Sequence, residues 1–448
     1  MSSPPGTPAV SVAELDLDAS GAPVLLRPAP GAPPVVPGEV YALVRAAGRP
    51  VAAVLARYED GEDPARILAA LAAERRTADA ALRTDAERRA AEFDAAVAGA
   101  SGAKAPGTAT GAPAPHPAPP PRASVVVATR ERPASLARAL DSLLAQDHPD
   151  HELIVVDNAP RTTATRDLVT GGRYARHGVR YVREDRPGLA AAHNAGVAAA
   201  GGEVLAFTDD DVIADPRWLS ALAAPFAADP GLGCVTGLIL PARLATPAQV
   251  LLESHGGFAK GFAPRLYDPA RPPADEPLFP FTAGSFGSGA NMAFRASALR
   301  RAGGFDPATG TGTPARGGDD LYAFVAVLAT GHRLRYTPDA LVWHHHRETW
   351  QDLRNQAYGY GAGLTAYLTA TLVRRPALLP ALLARLPRGL AHARTMTAAR
   401  GGGPGGGVPG AHGTPHPWPA SLSRLERRGM LHGPAGYLKA RLTRRSGP

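Results

Sequence analysis

Cysteine is nearly absent from this sequence. Cys234 is the only one in 448 residues, so no intrachain disulfide forms and nothing argues for an oxidising compartment. Long apolar runs are missing too: no segment supplies the roughly 18 uninterrupted apolar residues of a membrane-spanning helix. The nearest, Gly363 to Val373, is ended by Arg374-Arg375-Pro376. The first residues lack a basic segment followed by an apolar one, so no signal peptide is expected and a cytoplasmic location is the default. No aromatic-interleaved basic strand and no zinc-finger spacing is present, and aromatic residues make up only 6% of the chain. Specific nucleic-acid binding is therefore not expected, despite a net charge of +8. The stretch from Arg424 to Arg445 is rich in basic residues, and it is the candidate for peripheral contact with the inner face of a membrane.

What the chain has in plenty is punctuation by glycine and proline, and it divides the sequence into four parts. Residues 1–98 are expected to form a small N-terminal α+β accessory domain. Short apolar runs such as Val40–Val44 and Val51–Leu55 read as strands, and Pro64 to about Ala98 as a charged, alanine-rich helix. Residues 99–122 are a Pro/Ala/Gly-rich linker closing on Pro119-Pro120-Pro121. Residues 123–350 alternate strand and helix patterns, with strands at Ser124–Thr129, Glu152–Asp157 and Val179–Arg183 and helices at Ser135–Gln146 and Leu189–Ala200. That alternation predicts an α/β fold, a mostly parallel sheet with helices on both faces. Residues 351–448 read as a helical, basic region interrupted by Gly401–Gly407.

The densest chemistry is the triplet Asp209-Asp210-Asp211, placed where the apolar run Val204–Thr208 ends. A buried parallel strand would deliver these carboxylates to the carboxyl edge of the sheet, where open α/β sheets bind ligands. Alternation puts Asp209 and Asp211 on one face and turns Asp210 away. Two hard oxygen donors on one face suit Mg²⁺ or Mn²⁺. Thr129, Arg130, Arg132 and Asp157 follow two other predicted strands to the same edge. Gly188 opens a helix rich in small residues that contains Asn194, and its free backbone N–H groups are candidates to meet a phosphate or sugar. Gly289 and Asn291 stand in a glycine-rich entry to a strand, where a ligand can approach closely.

In the order of these motifs, the segment from Ser124 to Arg347 resembles the family 2 glycosyltransferases. The resemblance implies a GT-A fold and an inverting transfer of sugar from a nucleotide-diphosphate donor, linked to UDP, GDP or dTDP. It implies that the first strand's end and Asp157 hold the nucleoside. Asp211 would then be the direct metal ligand, with Asp209 facing the ribose or sugar. Gly317-Gly318-Asp319-Asp320-Leu321 is similar to the family's Glu-Asp motif, with Asp319 in place of the usual Glu; Asp320 would be the catalytic base. An alternative for Asp319 is a simple helix N-cap. In Ala340–Arg347 a histidine would complete the metal site, and His344 and His346 share a face on a strand.

Processive members carry Gln-x-x-Arg-Trp, whereas here Gln351-Asp352-Leu353-Arg354 is followed by Asn355. Transfer of one or a few sugars is therefore expected, to a saccharide, lipid-linked or small-molecule acceptor, in cell-surface glycan or glycoconjugate synthesis. Two other readings stay open: a metal-dependent nucleotidyltransferase, against which Thr129–Pro133 lacks a glycine, and a non-catalytic sugar-nucleotide-binding or scaffold protein.

Overall fold

The computed structural model describes residues 9–78, 120–255, 257–385, 387 and 418–445. The rest of the alanine-rich helix, most of the linker and the run Gly401–Gly407 lie outside these residues.

Four strands, β1 (Ser11–Leu17), β2 (Pro23–Pro28), β3 (Gly38–Ala46) and β4 (Arg49–Tyr58), make an N-terminal sheet in the order β2-β1-β3-β4. Helix α1 (residues 64–78) covers one face of it with Leu68, Ala69 and Ala72.

The second sheet begins with β5 (Ala123–Thr129), β6 (His151–Asn158), β7 (Arg180–Glu184), β8 (Val204–Asp209) and the short β9 (Val212–Ala214). It is completed by β10 (Leu232–Pro241), β11 (Arg265–Tyr267), β12 (Asn291–Arg295) and β13 (Arg333–His344). Its order is β11-β13-β10-β12-β8-β5-β6-β7, with β9 paired to β13. β5 runs parallel to β6 and β8, and β6 to β7. β12 runs against both β8 and β10, and β13 runs with β10. Six strands therefore point the same way. Their carboxyl ends bring Thr129, Asp157, Asp209 and His344 to one edge, and the reversed β12 starts there with Asn291.

All seven residues of β5 are buried, because helices cover both faces. Val125 and Val127 point one way, Val126 and Ala128 the other. The first face packs on α2 (Pro133–Leu143), on α3 (Ala164–Thr170) and α4 (Gly172–Arg176) of the β6–β7 crossover, and on α6 (Trp218–Ala228). In α2 Leu136, Leu140 and Leu143 recur at helical spacing to meet the sheet, and Pro133 sits in the first turn, where its missing N–H has no intrahelical partner to lose. The second face packs on α5 (Leu189–Ala199), α8 (Ala296–Ala302) and α9 (Asp319–Leu328). The observed architecture is the mixed, mostly parallel α/β fold expected from the sequence, with a small N-terminal sheet and C-terminal helices.

The N-terminal sheet does not stand apart. Its second face shares a core with the larger sheet: Val12, Tyr41, Leu43 and Ala53 pack with Leu238, Leu240, Leu341 and Trp343. Arg45 is buried between Glu14 at 2.8 Å and Asp215 at 2.7 Å. Helix α7 (Pro247–Ser254) joins this side through Val250.

The C-terminal helices are α10 (Trp350–Arg374), α11 (residues 379–385) and α12 (Ala420–Arg445). α12 lies along α10 at backbone contact: a Cβ on Gly361 would stand 1.9 Å from the Glu426 carbonyl oxygen, and one on Gly429 would stand 2.1 Å from that of Tyr358. Among the described residues no helix is long and apolar enough to cross a membrane.

Candidate functional site

β8 ends at Asp209 and the chain turns through Asp210 and Asp211 into β9. The turn separates the three carboxylates. Asp210 swings toward the β5 edge, where Thr129 Oγ1 donates to its Oδ2 at 2.6 Å and Arg132 Nη1 to its Oδ1 at 2.5 Å. Asp209 and Asp211 turn to the last residue of β13, and one ligand atom each from Asp209, Asp211 and His344 lie within 4.8 Å of one another. Arg132 Nη2 donates to Asp211 Oδ2 at 2.8 Å, and Arg347 Nη2 lies 3.4 Å from the same oxygen.

The electrostatics of this cluster are set by burial and crowding. Burial, then Asp211, Asp210 and Asp319, pushes the Asp209 carboxyl well above the usual range. Asp210 is pushed up to about 6 by burial, against the pull of Arg132 and Thr129. Asp211 goes the other way: burial would raise it, but His344, Arg132 and Arg347 hold it down to about 2. Burial lowers His344 to about 4, which leaves its ring neutral with a free lone pair. Asp211 Oδ1 is buried with no hydrogen-bond partner. Two carboxylates, a neutral imidazole and an unsatisfied oxygen fit a divalent cation of the Mg²⁺ or Mn²⁺ kind. His346, the other histidine on the strand face, places Nε2 3.0 Å from Glu253 Oε2 and lies outside the cluster.

The second acidic element starts α9. Gly318 is its N-cap, in the left-handed region at φ 86°, and a Cβ there would stand 2.4 Å from the Gly363 carbonyl oxygen. Glycine is needed on both counts. Asp319 is thus not the cap; it is buried at the first helical position, with Oδ2 3.2 Å from His193 Nδ1. Asp320 accepts from the Gly289 N–H through Oδ2 and from the Leu321 N–H through Oδ1, each at 2.8 Å. The helix N-terminus alone favours an ionised carboxylate. Burial, followed by the neighbouring Asp319 charge, outweighs those N–H groups and lifts Asp320 to about 6. A carboxylate at about 6 is ionised at neutral pH and more basic than an ordinary aspartate.

Other residues expected at the site take different places. Asn291 is fully buried: Oδ1 accepts from Trp218 Nε1, and Nδ2 donates to the carbonyls of Leu238 and Ala340, all at 2.8 Å. It ties α6 to β10 and β13 where their register shifts, and has no group left for a ligand. Asn194 exchanges hydrogen bonds with the backbone of Phe305 and anchors α5. At the start of α5 the Gly188 N–H donates to Asn158 Oδ1 and the Leu189 N–H to the Thr311 carbonyl, so these two groups are not free for a phosphate. Asp157 stays at the edge, register partner of Thr129, with Oδ2 accepting from the Tyr181 hydroxyl and Oδ1 buried without a partner. Arg130 is exposed on the loop after β5.

Asn291→Leu is expected to lower folding stability by about 3 kcal/mol, because an indole N–H and two carbonyls lose their buried partner at once. Thermal unfolding reads this directly, and a loss below about 1 kcal/mol would show that the strands relax around the gap.

Sequence reasoning missed His193, Arg347 and Lys260. His193 belongs to an alanine-rich run and meets Asp319 from more than a hundred residues away; Arg347 was legible only as the end of a strand. Burial pulls the Lys260 ammonium below its usual range, opposed by the charge of Asp320.

Residues 124–302 match the sequence profile of glycosyl transferase family 2. The chain carries a family 2 glycosyltransferase domain. The match to the family 2 domain ends before α9, so Asp319, Asp320 and His344 lie beyond it. The pre-mycofactocin glycosyltransferase of Mycobacterium tuberculosis is 28% identical over 246 residues, 53% of this chain and 46% of its own length. The glucosyl-dolichyl phosphate glucuronosyltransferase of Haloferax volcanii is 25% identical over 235 residues, 50% of this chain and 69% of its own. The matched part thus spans less than half of the mycobacterial relative. Among solved structures, the mannosyltransferase PcManGT from Pyrobaculum calidifontis, in complex with GDP-Man and Mn²⁺, superposes with a TM-score of 0.41 and 21% identity over 74% of this chain and 89% of its own.

Proposed function

We propose that this chain transfers a sugar from a nucleotide-diphosphate donor to an acceptor hydroxyl, with inversion at the anomeric carbon and without processive extension. The observation that carries the reading is the presence of two separate carboxylate groups at one sheet edge: Asp209 and Asp211 with His344, and Asp320, which accepts the Gly289 N–H just before β12.

Asp209, Asp211 and His344 would hold the divalent ion, Mn²⁺ or Mg²⁺, which when bound neutralises charge on the diphosphate leaving group. Arg132 and Arg347 flank the same carboxylate and add positive charge where the diphosphate would lie. Asp157, with its buried unpaired oxygen, is placed to accept an N–H from the base. Asp320 takes the acceptor proton, and the Gly289 and Leu321 N–H groups fix the orientation of its carboxylate. Attack by that hydroxyl from the face opposite the leaving group needs no covalent sugar on the enzyme. The acceptor would enter beside α10, where Arg316, Gln351, Arg354, Asn355, Tyr358 and Leu425 line a cavity of about 220 Å³. Asn355 stands where processive members carry tryptophan, which supports transfer of one or a few sugars.

A screen of UDP-, GDP- and dTDP-sugars with purified protein and Mn²⁺ or Mg²⁺ tests the proposal. The expected result is slow release of one nucleoside diphosphate that stops on addition of EDTA. If no nucleotide binds with either ion, the transferase reading falls.

A further inference from the structure

The terminal helix α12 is held to α10 by a seam of small residues, and the seam fixes which face looks outward. Gly429, Gly433, Gly436, Tyr437 and Ala440 are buried. Thr365 Oγ1 donates to the Met430 carbonyl at 2.8 Å, and a Cβ on Gly433 would stand 2.1 Å from that hydroxyl. The opposite face carries Leu431, Ala435, Leu438 and Leu442, spaced i, i+4, i+7 and i+11. Leu431 is 84% exposed, Leu442 63% and Leu438 48%. A soluble surface seldom leaves three leucines in line on one helix.

The charges around this stripe have one sign. Arg424, Arg427 and Arg428 precede it on the outward side, and Lys439 flanks it. Glu426 is the single acidic residue between Arg424 and Thr443, and its backbone lies in the seam against Gly361. Further apolar side chains are exposed at the carboxyl end of α10 and on α11: Val373, Leu379 and Leu383. That end of α10 is drawn toward α12 by Asp306, which accepts from the Tyr437 hydroxyl at 2.9 Å and lies 3.5 Å from Arg374 Nε.

The geometry points to α12 as an interfacial helix that lies on the surface of a bilayer rich in anionic phospholipid, with Leu431, Leu438 and Leu442 entering the acyl boundary and Arg424, Arg427, Arg428 and Lys439 meeting the headgroups. An exposed apolar stripe bordered by cations is the pattern by which a helix lies in the interface plane. Each cation close to such a surface adds electrostatic attraction that salt screens. A second copy pairing face to face would need acidic groups to answer the arginines, and among the described residues α12 carries only Glu426. The helix is already docked through its glycine seam, so binding would need no folding step.

Flotation of the full-length protein with vesicles tests this, using phosphatidylcholine alone against phosphatidylcholine with phosphatidylglycerol. The expected result is binding to the anionic vesicles only, at least 10-fold weaker in 0.5 M KCl. Leu431→Glu with Leu438→Glu, and separately Arg424→Gln with Arg427→Gln and Arg428→Gln, should each weaken it at least 10-fold with an unchanged unfolding temperature. Neither variant touches the acidic edge, so donor hydrolysis is expected to persist and doubles as a folding control. Wild-type binding equal to that of both variants, or no binding to anionic vesicles, overturns the proposal. So does self-association in solution that the leucine variant abolishes, because the face would then belong to a second copy.

Discussion

Asp320→Asn is expected to lower the turnover number by about 1,000-fold, within the range that a positioned general base contributes, while donor affinity changes little. Asparagine keeps the shape and can still accept the Gly289 N–H through its one oxygen, but its amide NH₂ cannot accept the Leu321 N–H and it cannot take a proton. The pH dependence gives a second reading of the same group. Transfer needs the deprotonated carboxylate, so wild-type kcat/KM should be flat above about 6, where Asp320 titrates, and fall about tenfold per pH unit below it. The Asn variant should lose that limb. Stability should move in the opposite sense. A carboxyl raised by burial favours the fold when protonated, and this contribution is lost as pH rises through about 6. Relative to wild type, Asp320→Asn should therefore gain about 1 to 2 kcal/mol of stability between pH 4 and pH 8, after allowance for partial exposure. A variant within threefold of wild-type turnover would remove Asp320 from the chemistry.

The second large effect is expected at Asp211. Asp211→Asn should weaken donor binding in the presence of Mn²⁺ by at least about 100-fold, since one ligand and one charge leave the site together. In EDTA, wild type and variant should bind the donor equally poorly. Mn²⁺ binding, followed by calorimetry or by the spin signal of the free ion, should be lost in parallel and reports on the site without any turnover. The fold needs its own control, because Arg132 and Arg347 lose their shared partner. Arg132 retains Asp210, and relief of crowding on Asp209 acts in the other direction. Unchanged Mn²⁺ affinity would sink the assignment of this cluster as a metal site.

The strands β5, β6 and β8 were legible because each apolar run ends on charged or polar residues, whereas β9, β10 and β11 were not read: β10 ends apolar, on Pro241, and the other two have three residues each. The separation of Asp210 from Asp209 and Asp211 followed from alternation along the chain, and the turn into β9 preserves it. Asp319 and Asp320 were visible as a pair after two glycines. What could not be read was pairing across distance. Asn291 and Asn194 look like ligand-binding amides in sequence, yet both satisfy buried backbone that only the folded chain brings to them. Gly188 and Leu189 promised free N–H groups, and Asn158 and Thr311 take them. Nor does periodicity announce His193 behind Asp319, or show that His346 meets Glu253 of α7 while His344 stands beside Asp209 and Asp211.

The shared core between the two sheets bears on how this protein can be dissected. Cutting the chain at its proline-rich stretch would strip Leu238, Leu240, Leu341 and Trp343 of their cover. It would also abandon Asp215, whose buried carboxylate is neutralised by Arg45. Leu341 and Trp343 belong to β13, the strand that ends on His344, so the damage would run straight to the acidic edge. A fragment without the N-terminal sheet would present this apolar face to water, and that sheet is better regarded as a wall of the larger sheet's core than as an appendage to it.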